Sequence, residues 1–469
     1  MKNFSTILKE VNPILSAIID FGGVPYLVGG TVRDFILNLP IKDVDIEIHK
    51  ISLLDIEKIL KKFGIVRLVG KQFGVLRIDG IDIDWSLPRK DSIGRKPKVE
   101  IDSQMTIKDA LRRRDITMNA MAVDLSRVLE KNKNIIDEDQ IIDPFGGLKD
   151  IKNKVLRVVD QDLFLQDPLR FFRVMQFVGR FEMNPDEKLN SICKQMDLVD
   201  FVTGKKISRE RIFEELKKLF LKSKKPSLAF KWLNDISKLK DIFPEIYALI
   251  GVEQKKDYHP EGDVFEHTMQ SIDAAAIFDE YESQEEKLLI ILSVLCHDFG
   301  KPQTTDESLS AKGHEQVGVK IAKKFLKKIT DNKNLIDTVG KLVLYHIRPS
   351  AFVTDKSKLK AYKRLAQKLA PQTNMRQLAL VALFDKRGRN KKKGEPLKDV
   401  FKNEFNNFLK MAKDAQIDRG PEKAVLRGKD ILDIVKPGPE MGRLLKSAYK
   451  IQIEENIKDK EELKKRVLK

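Results

Sequence analysis

The apolar residues of this chain keep two different rhythms, and one gives way to the other near residue 160. Before that point, VDIEI (44–48) and GVLRIDGIDIDWSL (74–87) alternate with period two, the pattern of strands with one wet face. VPYLVGG (24–30) is a buried-strand run that ends in two glycines and leads into a helical stretch, TVRDFILN. After it, apolar residues recur three and four apart, as in ERIFEELKKLFL and GVKIAKKFLKKI. Such a chain builds a small α/β head followed by a long all-helical body. Its 469 residues suffice for about three domains with sizeable cores. Breaks near DPFGG (143–147) and HPEGD (259–263) suit joints, and the basic stretch KRGRNKKKGEP (386–396) suits a loop. The tail segment 426–457 reads as two helices broken by PGPEMG.

Several classes of protein are excluded early. The longest aliphatic run, 288–296, is far too short to span a bilayer. The first 21 residues form an amphipathic helical pattern without a signal-peptide core. Cys193 and Cys296, the two cysteines, supply neither a disulfide framework nor a thiolate zinc site. Lys and Arg number 88 against 70 acidic residues, a net charge of +18 that predicts a polyanionic partner, nucleic acid before membrane. Basic runs at 112–114, 204–211, 222–225 and 387–393 are the candidate contacts. Aromatics at 7% argue against a platform that stacks many bases.

Two groups of residues carry chemistry. Gly29 and Gly30, between a strand and a helix, let a backbone approach a phosphate, and Arg33 lies one turn further on. Asp43 and Asp45 share one strand face, where two carboxylates repel unless a cation such as Mg²⁺ lies between them. Asp82 and Asp84 repeat the spacing and offer a third acid for a two-metal phosphoryl transfer. In the body, five of the six histidines fall between 259 and 346. His267, His297, Asp298, His314, His346 and Asp385 mix imidazole with carboxylate over several helices, a set suited to a divalent transition metal. Lys301, just after His-Asp-Phe-Gly, is placed to neutralise a phosphate.

These residues resemble known families. YLVGGTVRDFILNLPIKDVDIEI (26–48) is similar to the signature of class II tRNA nucleotidyltransferases and bacterial poly(A) polymerases. LRRRDITMNAMAVD (111–124), DPFGGLKDI (143–151), QDPLRFFRVMQF (166–177) and ISRERIFEELKKLF (207–220) resemble the later motifs of that family, in its order. The series H…HD…H…H…D resembles the HD phosphohydrolase superfamily. An HD module downstream of the transferase motifs is similar to the multifunctional bacterial CCA-adding type, as is the tail.

The resemblance implies an α/β nucleotidyltransferase head (a small mixed sheet with helices) over 1–150. It implies an all-α neck over 151–245, an HD-type helical body over 246–390 and a helical tail over 391–469. Asp43, Asp45 and Asp84 would be the catalytic acids, the first two holding Mg²⁺. Gly29, Gly30 and Arg33 would hold triphosphate; Arg114 would contact the nucleotide and Asn119 its sugar. Asp167 and Arg170, one helical turn apart with Arg173 nearby, would read the base edge. A carboxylate accepts from an exocyclic amine while a guanidinium donates to the neighbouring acceptor, a pattern that C and A share. His267, His297, Asp298 and Asp385 match the main HD metal positions, with His314 and His346 lining the same cavity. Gln166 and Gln176 depart from the family pattern, which usually carries Glu and often Arg there.

The expected function is addition of C, C and A to the tRNA acceptor end from CTP and ATP without a template, in the cytoplasm and without a membrane. A phosphatase or phosphodiesterase activity at the HD site would accompany it. Alternatives are a CC-adding or A-adding specialist, a poly(A) polymerase, an HD phosphohydrolase with an RNA-binding head, or an RNA chaperone.

Overall fold

The computed structural model describes residues 4–41, 44–69, 74–91, 99–130, 137–199, 204–392, 394–398 and 400–468. They form two compact units, 1–216 with 235–237, and 217–234 with 238–469. The division falls inside the helix Arg209–Lys222.

The first unit is built on strands β1 (Val24–Val28), β2 (Val44–His49), β3 (Val66–Val69), β4 (Val75–Ile78) and β5 (Ile83–Ser86). A separate hairpin pairs β6 (Arg89–Asp91) with β7 (Val99–Ile101), and β8 (Ala122–Asp124) and β9 (Ile141–Ile142) complete the main sheet. The seven strands lie in the order β3-β4-β5-β2-β1-β8-β9, with β2 parallel to β5 and the other neighbours antiparallel. Period two decides which side of β2 is wet: Val44, Ile46 and Ile48 enter the core, so Asp45, Glu47 and His49 take the other face. The core face is covered by the amphipathic helix Phe4–Asp20, whose Leu8, Val11, Leu15 and Ile18 share a cluster with Ile46, Ile48 and the fully buried Trp85. With one face sealed, the sheet's chemistry gathers on the other.

The DPFGG turn is an internal brace of this unit. Asp143 accepts from the backbone N–H groups of Gly147 (2.7 Å) and Leu148 (2.9 Å), capping the helix Gly147–Lys152. Gly147 lies so close to the 117 carbonyl that a Cβ there would stand 2.5 Å from that oxygen.

The described part of the second unit contains helices without a sheet. Gln284–Cys296 is apolar on nearly every side and buried among Val264–Ile277, Lys333–Tyr345 and Met375–Arg387. Downstream, Lys402–Asp414, Pro439–Glu455 and Lys460–Val467 form the tail. The stretch expected as the first tail helix holds one short turn, Gly428–Asp430. Leu426 and Ile431 join a small cluster with Met441 and Ala448. Among the described residues no helix is long and apolar enough to cross a membrane.

Candidate active sites

On the wet face of the head sheet, the parallel register of β2 and β5 sets Asp45 directly beside Asp84. Asp84 is ion-paired with Arg77 from β4, and the Asp45 backbone N–H donates to Thr31 Oγ1 at 3.1 Å. That bond ties the acidic strand to the helix Gly30–Ile36, which follows the Gly29 turn at φ +67°. Side-by-side carboxylates on neighbouring strands fit a divalent cation. Asp43 lies outside the described residues.

Glycine is favoured at position 29 by its left-handed backbone, and two guanidinium groups lie against the turn. A Cβ on Gly29 would stand 3.2 Å from Arg114 Nη1, and one on Gly30 would stand 3.3 Å from Arg33 Nη2. Arg33 is 5% exposed and spends its donors on Asp34 (2.8 and 2.7 Å) and on Asn119 Oδ1 (2.5 Å). Asn119 Nδ2 donates to Asp115 Oδ1 at 2.8 Å, and Arg173 Nε donates to Asp115 Oδ2 at 2.5 Å. Burial alone would raise the Asp115 carboxyl, but Arg173 and Asn119 outweigh it and hold the group far below the usual range. Arg33, Asn119, Asp115 and Arg173 thus form one charge-assisted chain that links three sequence motifs. Asp150 steadies it from behind, accepting from Thr117 Oγ1 at 2.6 Å and from Arg157 Nε at 3.2 Å.

Asp167 and Arg170 stand one turn apart at the start of the helix Leu169–Phe181. Asp167 Oδ1 accepts from the 169 backbone N–H at 3.1 Å, and Oδ2 lies 3.6 Å from Arg211 Nη2. Arg170 Nη2 donates to the Arg113 carbonyl at 2.7 Å. Gln166 ends the preceding short helix, and Gln176 is buried.

Glu47 and His49 were missed by sequence reasoning. They follow Asp45 at period two, yet both are buried, and His49 Nε2 lies 3.1 Å from Glu47 Oε1. Glu47 also lies 3.9 Å from Arg114. Burial pushes its carboxyl up; the His49 bond and the charges of Arg114 and Arg113 prevail, and it stays ionised. Parity with Asp45 was the available signal.

In the helical unit, His267 lies within its helix near the start, His297 and His346 directly follow helix ends, and His314 begins another. Every one of these rings commits its Nδ1 as a donor. His297, His314 and His346 use the 294, 311 and 343 carbonyls (2.6, 2.8 and 2.7 Å), and His267 uses Glu261 (2.7 Å). In a neutral ring that leaves Nε2 as the acceptor, and these atoms face each other in pairs: His267 and His297 at 3.2 Å, His314 and His346 at 3.2 Å. Burial, reinforced by the neighbouring rings, pushes His346 down to about 3, so its lone pair stays available. Two lone pairs at such a distance repel unless a cation lies between them, and this donor set fits divalent metal.

Asp298 stands between the pairs. Its Oδ2 is 3.3 Å from His297, and its Oδ1 is 3.4 Å from His314. Asp385 Oδ1 reaches His267 at 3.3 Å. His267, His297 and Asp385 therefore make one ligand group, and Asp298, His314 and His346 a second. Lys301 Nζ lies 2.7 Å from Asp298, and Arg389 Nη2 lies 2.7 Å from Asp385. Asp298, Lys301, His314, His346, Asp385 and Arg389 line a cavity of about 340 Å³.

Two glycines allow the approach. A Cβ on Gly300 would stand 2.0 Å from the His314 carbonyl, and one on Gly388 would stand 2.0 Å from Ser271 Oγ and 2.8 Å from the His267 carbonyl. Sequence reasoning left out Glu261, Gln254 and Arg389 as parts of this site. HPEGD was read as a joint and 387–393 as a basic run, and neither pattern reveals an inward-facing side chain.

Three family models match the chain: "Poly A polymerase head domain" over 25–157, "Probable RNA and SrmB- binding site of polymerase A" over 204–249, and "HD domain" over 264–382. The chain is 30% identical to the multifunctional CCA protein of Mannheimia succiniciproducens over 413 residues, covering 86% of this chain and 93% of that protein. It is 32% identical to the protein of the same name from Neisseria meningitidis serogroup A over 327 residues, or 69% and 72% of the two chains. Its fold matches the Bacillus stearothermophilus CCA-adding enzyme in complex with CTP (TM-score 0.64, 20% identity, 99% and 98% covered). It also matches the Thermotoga maritima CCA-adding enzyme complexed with tRNA (TM-score 0.56, 20% identity, 100% and 98% covered). A transferase head, an RNA-binding segment and an HD domain in this order, with identity running through nearly the whole Mannheimia protein, mean that the chain belongs to the multifunctional CCA protein family.

Proposed function

We propose that this protein adds C, C and A to tRNA 3′ ends from CTP and ATP without a nucleic acid template, and that its HD site hydrolyses phosphate esters. The observation that carries the transferase reading is the register of Asp45 against Asp84 beside the Gly29–Gly30 turn. Divalent ions, Mg²⁺ in this reading, would be held by Asp43, Asp45 and Asp84 and would supply charge stabilisation to the triphosphate and the terminal hydroxyl. The glycine turn and Arg114 receive the triphosphate. Arg33 and Asn119, bonded to each other, hold the turn and the sugar-binding segment in one geometry. Asp167 accepts from the amine of C or A, and Arg170 donates to the adjacent ring acceptor. The tRNA 3′-oxygen then attacks the α-phosphorus, and pyrophosphate leaves.

At the HD site, His267, His297, Asp298 and Asp385 would hold one divalent ion, with His314 and His346 completing a second position through Asp298. Such ions would supply polarisation of a phosphoryl oxygen. Lys301 neutralises the phosphate charge, and the carbonyls behind the histidines keep their Nε2 atoms aimed inward. The work divides over 1–150 for transfer, 151–245 for base reading, 246–390 for hydrolysis and 391–469 for the tail. A substrate of this kind places the protein in the cytoplasm.

The test offers purified protein three tRNA ends, bare, ending in CC, and complete, with CTP and ATP singly and together. Stepwise C, C, A addition is expected. Arrest after CC, action on CC ends alone, or long A tails would each replace the reading with a specialist or a polymerase.

A further inference from the structure

The helix Leu169–Phe181 begins just after Asp167 and is clamped at its far end as well as at its middle. At the middle, Arg173 donates to Asp115. At the far end, Arg180 Nη2 donates to Asp34 Oδ2 at 3.2 Å, and both side chains are largely buried. Asp34 belongs to the helix Gly30–Ile36, directly behind the glycine turn. Its Oδ1 accepts from Arg33 Nε and Nη2 (2.8 and 2.7 Å), so one carboxylate serves a cation from each helix. Aromatic rings interleave with the same cations. Arg173 lies 5.4 Å and Arg33 5.8 Å from the centre of the Phe177 ring; Arg33 lies 4.7 Å and Arg180 4.6 Å from that of Phe181. Guanidinium groups are attracted to rings at such distances, and the attraction strengthens away from water. Arg33 thus enters from the glycine-turn helix as the middle member of the series Arg173, Phe177, Arg33, Phe181, Arg180. A helix held at one point can swing about it; held at two points about 10 Å apart, it keeps one direction.

We propose that Arg180 is a positioning residue for nucleotide selection. Through Asp34 and Phe181 it fixes the helix that starts at the base-reading pair at one distance from the turn that receives the triphosphate. A nucleotide must reach both at once, so this spacing decides whether its base edge meets Asp167 and Arg170 in register. The inference rests on the base-reading role given above to Asp167 and Arg170.

The test measures kcat/KM for CTP and for UTP on bare tRNA ends, with the full chain and Mg²⁺ supplied, and reads their ratio. Wild-type protein is expected to favour CTP, whose amine suits a carboxylate acceptor. Arg180→Ala should lower the ratio about tenfold, because CTP loses its register while UTP has little to lose. Arg180→Lys, which keeps a cation beside Asp34, should keep most of it. Asp34→Asn should lower the ratio as Arg180→Ala does, and the double variant should add little further. The asparagine variant keeps the side-chain shape and serves where the alanine variant does not fold. Damage to the fold alone would weaken both nucleotides together; a ratio left unmoved in this way overturns the positioning role alone. Wild-type protein that uses UTP as readily as CTP overturns the base-reading role and this inference with it.

Discussion

In the head, Asp45 and Asp84 meet because two parallel strands run in one register; in the helical unit, four histidines meet because helices distant in sequence are held together near their ends. The first arrangement is periodic. Hydrogen bonding between strands repeats every two residues, so a carboxylate's face follows from its parity. The second depends on close approach, and close approach on small residues. Gly300 and Gly388 occupy points where any Cβ would meet a backbone or hydroxyl oxygen at about van der Waals overlap. The two sites also carry charge differently. Both pair buried acids with cationic side chains, Asp115 with Arg173 in the head and Asp298 and Asp385 with Lys301 and Arg389 at the HD site, but the HD site also turns imidazole Nε2 atoms toward one another.

The sharpest way to break this comparison is to remove one site and watch the other. Asp45→Ala should lower nucleotide addition by about 10³-fold or more while phosphate-ester hydrolysis persists. His297→Ala should do the reverse. Incorporation of labelled CMP and AMP into tRNA, beside release of inorganic phosphate, reads both. Joint loss in either variant would mean that the two sites are not separate machines.

Stability in response to pH should run in opposite directions at two buried acids. Asp273 in the helical unit is pushed up to about 7 by burial, against the bonds it accepts from Ser227. A raised carboxyl favours folding when protonated, so its contribution is full below about pH 4 and fades as pH rises to about 7. Relative to wild type, Asp273→Asn should therefore gain stability at pH 8 over pH 5, on the order of a few kcal/mol. Asp115 in the head is held down, so its contribution is present above about pH 4 and lost in acid. Asp115→Asn should cost more at pH 7 than at pH 3. Each unit carries one of the two tryptophans, Trp85 and Trp232, and urea titrations of single-tryptophan versions separate the responses. Matching slopes for both variants would contradict the assignment.

A smaller effect probes the glycine contact. Gly388→Ala should destabilise the helical unit by about 2–3 kcal/mol, because Ser271 and the 267 carbonyl must move. The same titration should show the head transition unshifted. Tolerance of alanine there would mean that the helix ends do not depend on this approach.

Much of the head was legible before any coordinates. Alternation in 44–48 and 74–87 forecast strands with one wet face, and the family resemblance placed the motifs in order, but the alternation did not show that 74–87 folds as two strands, Val75–Ile78 and Ile83–Ser86. What escaped was burial on the wet face: Glu47 and His49 share Asp45's parity, but only the packing of Arg114 and the 105 carbonyl turns them into an internal pair. Arg33 was expected at the triphosphate, and its full set of bonds to Asp34 and Asn119 depends on a segment 86 residues away. In the body, His267, His297, Asp298, His314, His346 and Asp385 were named through resemblance. Glu261 and Arg389 stood in plain view as a turn residue and a basic run, since nothing in local spacing tells an inward arginine from a solvated one.

By itself the sequence determined the two rhythms, hence the α/β head and helical body, the acidic face of the central strand and the identity of the ligand-type side chains. These follow from the 2.0 and 3.6 periodicities of the backbone, which are local. Tertiary structure alone decided that Asp84 stands beside Asp45, that Asp298 joins two histidine pairs, and which arginines are already spent on buried carboxylates. Those outcomes depend on contacts between residues tens or hundreds of positions apart, where chain direction and packing, not spacing, set the distance.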